Sequence, residues 1–189
     1  MRFVCNPPEN TISRGARSRH RPTPDDEFEP EDINMTKPIR REDRRLDETA
    51  AMALLNRGEY GILSTADHLN RPYGIPVNYV VMEGHIFFHC ATEGHKLENI
   101  TDNRGVSFCV VGKTEVLPEK FSTRYESVIV SGEAEVVVDP IMKKNALGAL
   151  VAKYAPDNIA AGEAYIEKLM DQTAVVRVSI DHLSGKSRK

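Results

Sequence analysis

The sequence predicts a mainly β protein, an antiparallel barrel with helices at its periphery, and three observations carry the prediction. Six runs, from YGILSTAD to TAVVRVSID, are rich in β-branched residues or alternate apolar with polar positions. Helix-like periodicity is confined to a few separate stretches, without the regular βα alternation that a parallel doubly wound sheet requires. Turn-forming residues, DHLNRP and the Glu83-Gly84 pair among them, sit between consecutive runs as hairpin connections would.

A chain of 189 residues with formal net charge -3 can bury one sizeable core but hardly two. The expected division is a domain over residues 35–189 preceded by an extension over residues 1–34. In the extension, Arg14, Arg17, Arg19 and Arg21 are followed by an acidic block from Asp25 to Asp32, with few aliphatic residues. Such a segment buries too little apolar area to offset its ordering entropy, so it reads as disordered. The acidic block cancels much of the basic arm's field, which argues against a nucleic-acid partner. Met35 opens a stretch of different character and is a candidate translation start.

No apolar run approaches the roughly 18 to 20 residues of a membrane-spanning helix. Asn6, Pro7, Pro8 and Glu9 interrupt any secretory apolar segment. The expectation is therefore a cytoplasmic protein with no membrane partner. Cys5, Cys90 and Cys109 form an odd set without metal-ligand spacing, as free thiols of a reducing compartment do.

Asp47 reads as the N-cap of a first helix through ETAAMALLNR, with Ala50, Leu54 and Leu55 on one side and Gly58 as its stop. YGILSTAD and PYGIPVNYVVME then flank the DHLNRP turn, and the second continues through Glu83 and Gly84 into HIFFHCA. Together they read as an antiparallel meander. A short helix starts near His95 (HKLENITDN), after which GVSFCVVGK and YESVIVSGEAEVVVD return to strand. From Pro140, the residues Ile141, Leu147, Leu150, Val151 and Tyr154 suit a helix, Pro156 breaks it, and Ala164 to Met170 forms another. TAVVRVSID is the last strand expected.

The run HIFFHCATEGHK holds the densest chemistry. On a strand, His85, Phe87 and His89 share one face while Ile86, Phe88 and Cys90 share the other. His85 and His89 have the i, i+4 spacing of a helical zinc pair, but in extended chain their Cα atoms stand about 13 Å apart, too far for one ion. No metal site is expected. His89 and Cys90 face opposite ways and cannot form a thiol-imidazole dyad, so Cys90 reads as a small buried filler. Thr92, Glu93 and Gly94 turn the chain into a helix whose first turn carries His95 and Lys96. Unsatisfied N–H groups, the helix dipole and the lysine all favour a phosphomonoester there. A lysine in a first turn is equally at home in solvent, and the residues alone leave both readings open.

The order PYGIPVNY, then GHIFFHCA, then GHKLENI, then FSTRYESVIVSGEA resembles the pyridoxamine 5'-phosphate oxidase-like flavoproteins, and within them the nitroimidazole-resistance (NimA-type) branch. The likeness spans roughly Arg40 to Lys186. It implies a split β-barrel homodimer holding flavin mononucleotide (FMN) at two sites along the subunit interface. It implies that Ile75, Pro76, Val77 and Asn78 run beside the isoalloxazine ring, largely through backbone groups. Phe88 and His89 would lie against the ribityl chain and phosphate side, and His95 and Lys96 would hold the phosphate. The family often has Arg where this chain has His95, and a neutral imidazole binds phosphate more weakly than a guanidinium fork.

Ser127 matches a Gln-like position of the family and is a further polar contact, or else a strand hydroxyl bonded to a neighbour. Tyr125 and Arg124 would shape the pocket, with a solvated Arg124 as the alternative. His89 resembles a histidine set near the flavin and the substrate cavity, which makes it the expected catalytic residue. There it would donate a proton to a reducing nitro group or bond the cofactor; a structural core histidine is the other reading.

The function implied is an FMN-dependent oxidoreductase of the nitroimidazole reductase type, passing hydride from reduced flavin to a small electron-poor acceptor. The chain has no dinucleotide G-x-G-x-x-G fingerprint, so NAD(P)H would serve only as a transient donor. Two alternatives stand beside it. Pyridoxamine 5'-phosphate oxidase activity would need a C-terminal Arg and Trp pattern, and the chain contains no Trp. A non-enzymatic flavin or haem binding protein is the other, since fold does not fix function.

Overall fold

The computed structural model describes residues 39–189. The expectations for residues 1–34, Met35 and Cys5 fall outside the described residues.

The first helix, α1 (Glu48–Arg57), begins as expected, with the Asp47 carboxylate accepting the Ala50 N–H at 2.7 Å. It buries Ala51, Leu54 and Leu55, while Ala50 is only half-buried, so the buried face is turned slightly from the expected one. Gly58 ends the helix, but at φ -59 rather than in the left-handed region. Its glycine is explained by packing instead: a Cβ would run into Val110 and the Tyr79 hydroxyl.

The remaining elements are β1 (Gly61–Ala66), β2 (Pro72–Val77), β3 (Val80–Met82), β4 (His85–Ala91), α2 (His95–Asp102), β5 (Gly105–Leu117) and β6 (Ser122–Val136). They continue with α3 (Pro140–Tyr154), α4 (Ile159–Leu169), β7 (Thr173–Ser179) and β8 (His182–Arg188). Every strand pairing is antiparallel, in the order β2-β1-β5-β6-β7-β4-β3, with β8 also on β6. The chain is thus mainly antiparallel β with peripheral helices.

It is not a meander. The expected single run PYGIPVNYVVME is cut after Val77, and its halves, β2 and β3, lie at opposite ends of the strand order. Tyr79 is the cause. Its side chain is wholly buried, its hydroxyl donates to the Leu55 carbonyl, and its N–H donates to the Tyr154 hydroxyl at 2.9 Å. With its N–H given to Tyr154 and its carbonyl accepting from the Lys153 ammonium at 2.9 Å, the Tyr79 backbone is withdrawn from the ladder there.

The long β6 is shared by two sheets. Tyr125 to Ser131 pair with β8, whereas Ala134 to Val136 pair with β7. The crossing point is tight: a Cβ on Gly132 would run into the Ser179 carbonyl, and the Asp181 N–H donates to the Ser131 carbonyl at 3.1 Å. TAVVRVSID is therefore not the last strand. HLSGKSR, which has no β-branched residue, becomes β8 because docking on β6 satisfies its backbone.

Period two along β4 feeds two cores. Phe88 packs with Leu63, Phe108 and Val130 in the main core, while its neighbour Phe87 packs with Leu147, Leu150 and Ile166 beneath α3 and α4. Two further expectations change. Ile141 is 71% exposed rather than on the buried face of α3, and α4 starts at Ile159, before Ala164.

Candidate functional site

β2 stands at one end of the strand order, so one of its edges has no partner among the described strands. Ile75 and Val77 turn their side chains toward the main core, whereas Pro76 is exposed on the sheet's outer face and Asn78 is exposed just past the strand. What residues 75–78 offer a ligand is therefore backbone, the Pro76 ring and the Asn78 amide. Proline suits an edge position, where a missing donor disrupts no ladder.

A chain of polar contacts brings the start of α2 to this edge. The buried Asn99 amide of α2 donates to the Thr65 hydroxyl at 2.9 Å, and that hydroxyl donates to the Tyr73 carbonyl at 3.3 Å. Asp67 fixes the turn between β1 and β2, accepting the Leu69 and Arg71 N–H groups at 2.9 Å each and the Arg71 guanidinium at 2.6 Å. These hydrogen bonds, the Arg71 backbone one foremost, hold the Asp67 carboxyl below its ordinary pKa. The Tyr73 ring then packs on the His95 ring, centroids 4.4 Å apart.

Lys96 follows, half-buried in the first turn of α2, after Gly94 at φ 126. Glu98 shares that turn and answers part of the helix's positive end. Lys96 also lies near Cys90, whose thiol is pushed up by burial and drawn back by the lysine charge. An unpaired strand edge and an anion-favouring helix start thus adjoin. Thr65, Asp67, Tyr73 and Asn99 were missed by sequence reasoning; Asn99, a polar residue between Leu97 and Ile100 on the buried side of α2, was the one readable signal.

Phe88 and His89 part company. The Phe88 side chain is wholly buried in the main core, so a ligand meets only its backbone. His89 points the other way and is exposed, which removes the core-histidine reading. With Asn78 it lines a cavity of about 350 Å³ against α3 and α4.

Ser127 is set apart as well. Pro76, Ile62, Cys109, Ile129 and Ser184 form one register row across the outer face of the sheet, and Ser127 lies in the next, between Val111 and Lys186. Three strand spacings separate β6 from β2, about 14 Å, so one chain does not bring Ser127 to the β2 edge. Arg124 pairs with Glu115 at 2.9 Å on the β5–β6 hairpin, as a solvated residue would, and Tyr125 is half-buried beside it.

A family model described as pyridoxamine 5'-phosphate oxidase matches residues 47–187. No curated protein matches the chain. Among solved structures, a candidate 5-nitroimidazole antibiotic resistance protein from Bacteroides thetaiotaomicron is 21% identical, with TM-score 0.62, over 75% of this chain and 85% of that one. A conserved hypothetical protein from Mycobacterium tuberculosis is 18% identical, with TM-score 0.69, over 79% and 90%. An FAD and haem binding protein from Mycobacterium smegmatis is 20% identical, with TM-score 0.68, over 77% and 74%. At these identities the likeness is one of fold.

Proposed function

The chain belongs to the pyridoxamine 5'-phosphate oxidase family, and from that premise we propose that it binds flavin as FMN and acts as an oxidoreductase of the nitroimidazole reductase type. The observation that carries the reading is the meeting of the β2 edge with the first turn of α2 through the Tyr73–His95 contact. Ring and phosphate of one mononucleotide need such a pair of features side by side. The donor set fits: backbone groups of residues 75–78 for the ring, and Lys96 with the α2 N–H groups for a phosphomonoester. His95, held against Tyr73, adds a weaker contact.

Bound FMN would supply the electron transfer. The chain's residues orient it, and His89, exposed beside the cavity, delivers a proton from its ring nitrogen to the acceptor. NAD(P)H serves as a transient donor. The working unit in this reading is a cytoplasmic homodimer of the domain at 35–189, with residues 1–34 as an extension.

Two features support a second copy: the outer face carrying Ile129 is left uncovered by the described residues, and Phe121, 99% exposed at φ 46, crowns the β5–β6 hairpin. A second copy facing that sheet would also bring a Ser127 to a β2 edge that cannot reach its own. The similar fold of the Mycobacterium smegmatis FAD and haem binding protein supports the flavin assignment, and that of the candidate 5-nitroimidazole antibiotic resistance protein supports the nitroimidazole reading.

The test is the visible spectrum of the purified protein, followed by cofactor release and mass identification. Turnover of nitroimidazoles or quinones by the loaded protein comes next. A protein that takes up no flavin on reconstitution, or takes up haem instead, refutes the reading.

A further inference from the structure

The last turn of α3 reaches across to the end of β2, and two adjacent residues make the contact. The Lys153 ammonium is half-buried, donates to the Gly58 and Tyr79 carbonyls at 2.8 and 2.9 Å, and sits 4.1 Å over the Tyr79 ring. Its partners are carbonyls and a ring face rather than carboxylates, and burial pushes its pKa below the ordinary lysine value. Gly58 caps the C-terminus of α1, where unsatisfied carbonyls and the helix dipole favour a cation. One charge thus ties the ends of α1, β2 and α3 together.

Tyr154 completes the node. Its hydroxyl accepts the Tyr79 N–H at 2.9 Å and lies 2.7 Å from the Glu59 carbonyl and 2.8 Å from that of Tyr79, so its one proton stays between those two. The Glu59 carbonyl also accepts the Asn78 side-chain amide at 3.1 Å. The peptide joining Asn78 to Tyr79 is therefore held by its nitrogen, and in a planar trans peptide the N–H and C=O point opposite ways. With that N–H on Tyr154, the Asn78 carbonyl is turned away from the hydroxyl, and no hydrogen bond among the described residues ends on it. It is an acceptor left for a ligand, at the end of the backbone edge that residues 75–78 form.

We propose that Lys153 and Tyr154 are positioning residues of the flavin site: they fix the peptide between Asn78 and Tyr79, and so set in advance the backbone that meets the ring end of the cofactor. The clamp rests on geometry alone; its service to flavin rests on the proposed function. Neither side chain has to touch the cofactor. Backbone ordered before a ligand arrives adds no ordering cost to binding, whereas backbone released from the clamp must be ordered each time. The effect falls on the ring end, which FMN and riboflavin share, and not on the phosphate end at Lys96.

The test uses Tyr154→Phe and Lys153→Met, which remove the polar contacts with little change of shape. In quenching titrations on the full chain, each should weaken FMN and riboflavin alike, by roughly 5- to 30-fold, as ordering one residue's backbone on binding would. Amide exchange followed by NMR should quicken about tenfold at Tyr79 while the amides of β5 and β6 keep their rates, which separates local release from general loss of stability. Flavin affinities unchanged in both variants would make the pair a purely structural contact and overturn the proposal. A loss confined to FMN would overturn it too, by placing the effect at the phosphate. Should Lys153→Met not fold, Tyr154→Phe decides the matter by the same two measurements. Should the parent chain take up no flavin, the proposed function falls, and Tyr79 exchange in the flavin-free chain still judges the clamp: local release upholds it and an unchanged rate overturns it.

Discussion

Lys96→Ala isolates the phosphate end of the proposed cofactor site. The side chain is half-buried in the first turn of α2, outside either core, so its removal should leave folding nearly untouched. A hydrogen bond to a charged partner is worth about 1.5 to 3 kcal/mol, so FMN should bind roughly 10- to 150-fold more weakly. The α2 N–H groups remain and keep a share of about 0.3 to 1 kcal/mol, which holds the loss below the whole phosphate contribution. Riboflavin is the internal control, because it carries the same ring and ribityl chain without the phosphate. Quenching titrations of both flavins on both proteins give a double difference in which everything but the phosphate cancels. The FMN loss should also shrink at high salt, as an accessible ion pair does. FMN bound unchanged by the variant, or riboflavin weakened as much as FMN, would refute the assignment of Lys96.

His95→Arg should tighten FMN several-fold relative to riboflavin in the same titration, since a guanidinium fork replaces an imidazole; no gain would place His95 outside phosphate reach. Tyr154→Phe leaves the buried Tyr79 N–H without its acceptor and should cost about 1 to 3 kcal/mol in urea unfolding, with no loss meaning that water takes over. Asp67 has a lowered folded pKa, so its stabilisation is whole above the ordinary carboxylate value of 3.8 and is lost as pH falls through the lower folded value. The stability gap between the parent chain and Asp67→Asn should therefore be present at pH 7 and close toward pH 2, and a gap independent of pH would contradict this. Ile129→Glu sets a charge in the middle of the sheet face that the described residues leave uncovered, where Ile129 is 46% exposed. Sedimentation should show a monomer that has also lost FMN affinity, whereas a monomer binding FMN normally would place the whole site within one chain.

Local pattern was enough for most elements. Asp47 caps α1 as its side-chain chemistry demands, and the alternation in HIFFHCA correctly sends Phe87 and Phe88 to opposite sides. What failed depended on distant partners. PYGIPVNYVVME has unbroken strand character, and only the pull of Tyr79 toward Leu55 and Tyr154 divides it. HLSGKSR has almost none, and only β6 makes it a strand. Of the candidate site, the placing of His95 and Lys96 in the first turn of a helix was legible because a helix start is a local feature. Their placement beside β2 was not, since it runs through Thr65, Tyr73 and Asn99, which no spacing rule connects.

The run HIFFHCATEGHK shows how one short segment comes to serve two places. The strand period sends His89 toward α3 and α4 while Phe88 anchors the backbone in the main core. The turn at Thr92 to Gly94 then redirects the chain, and Asn99 pins the new helix to β1 so that its first turn arrives at β2. His89 and the first turn of α2, six residues apart in sequence from His89 to His95, are thus set on different surfaces of one core. In the proposed function the first surface serves the acceptor through His89 and the second the cofactor, and Asn78, at the end of the β2 edge and in the wall of the cavity beside His89, is where they meet. Loss of proton delivery and loss of the cofactor should accordingly be separable by substitution at His89 and Lys96, but not at Asn78.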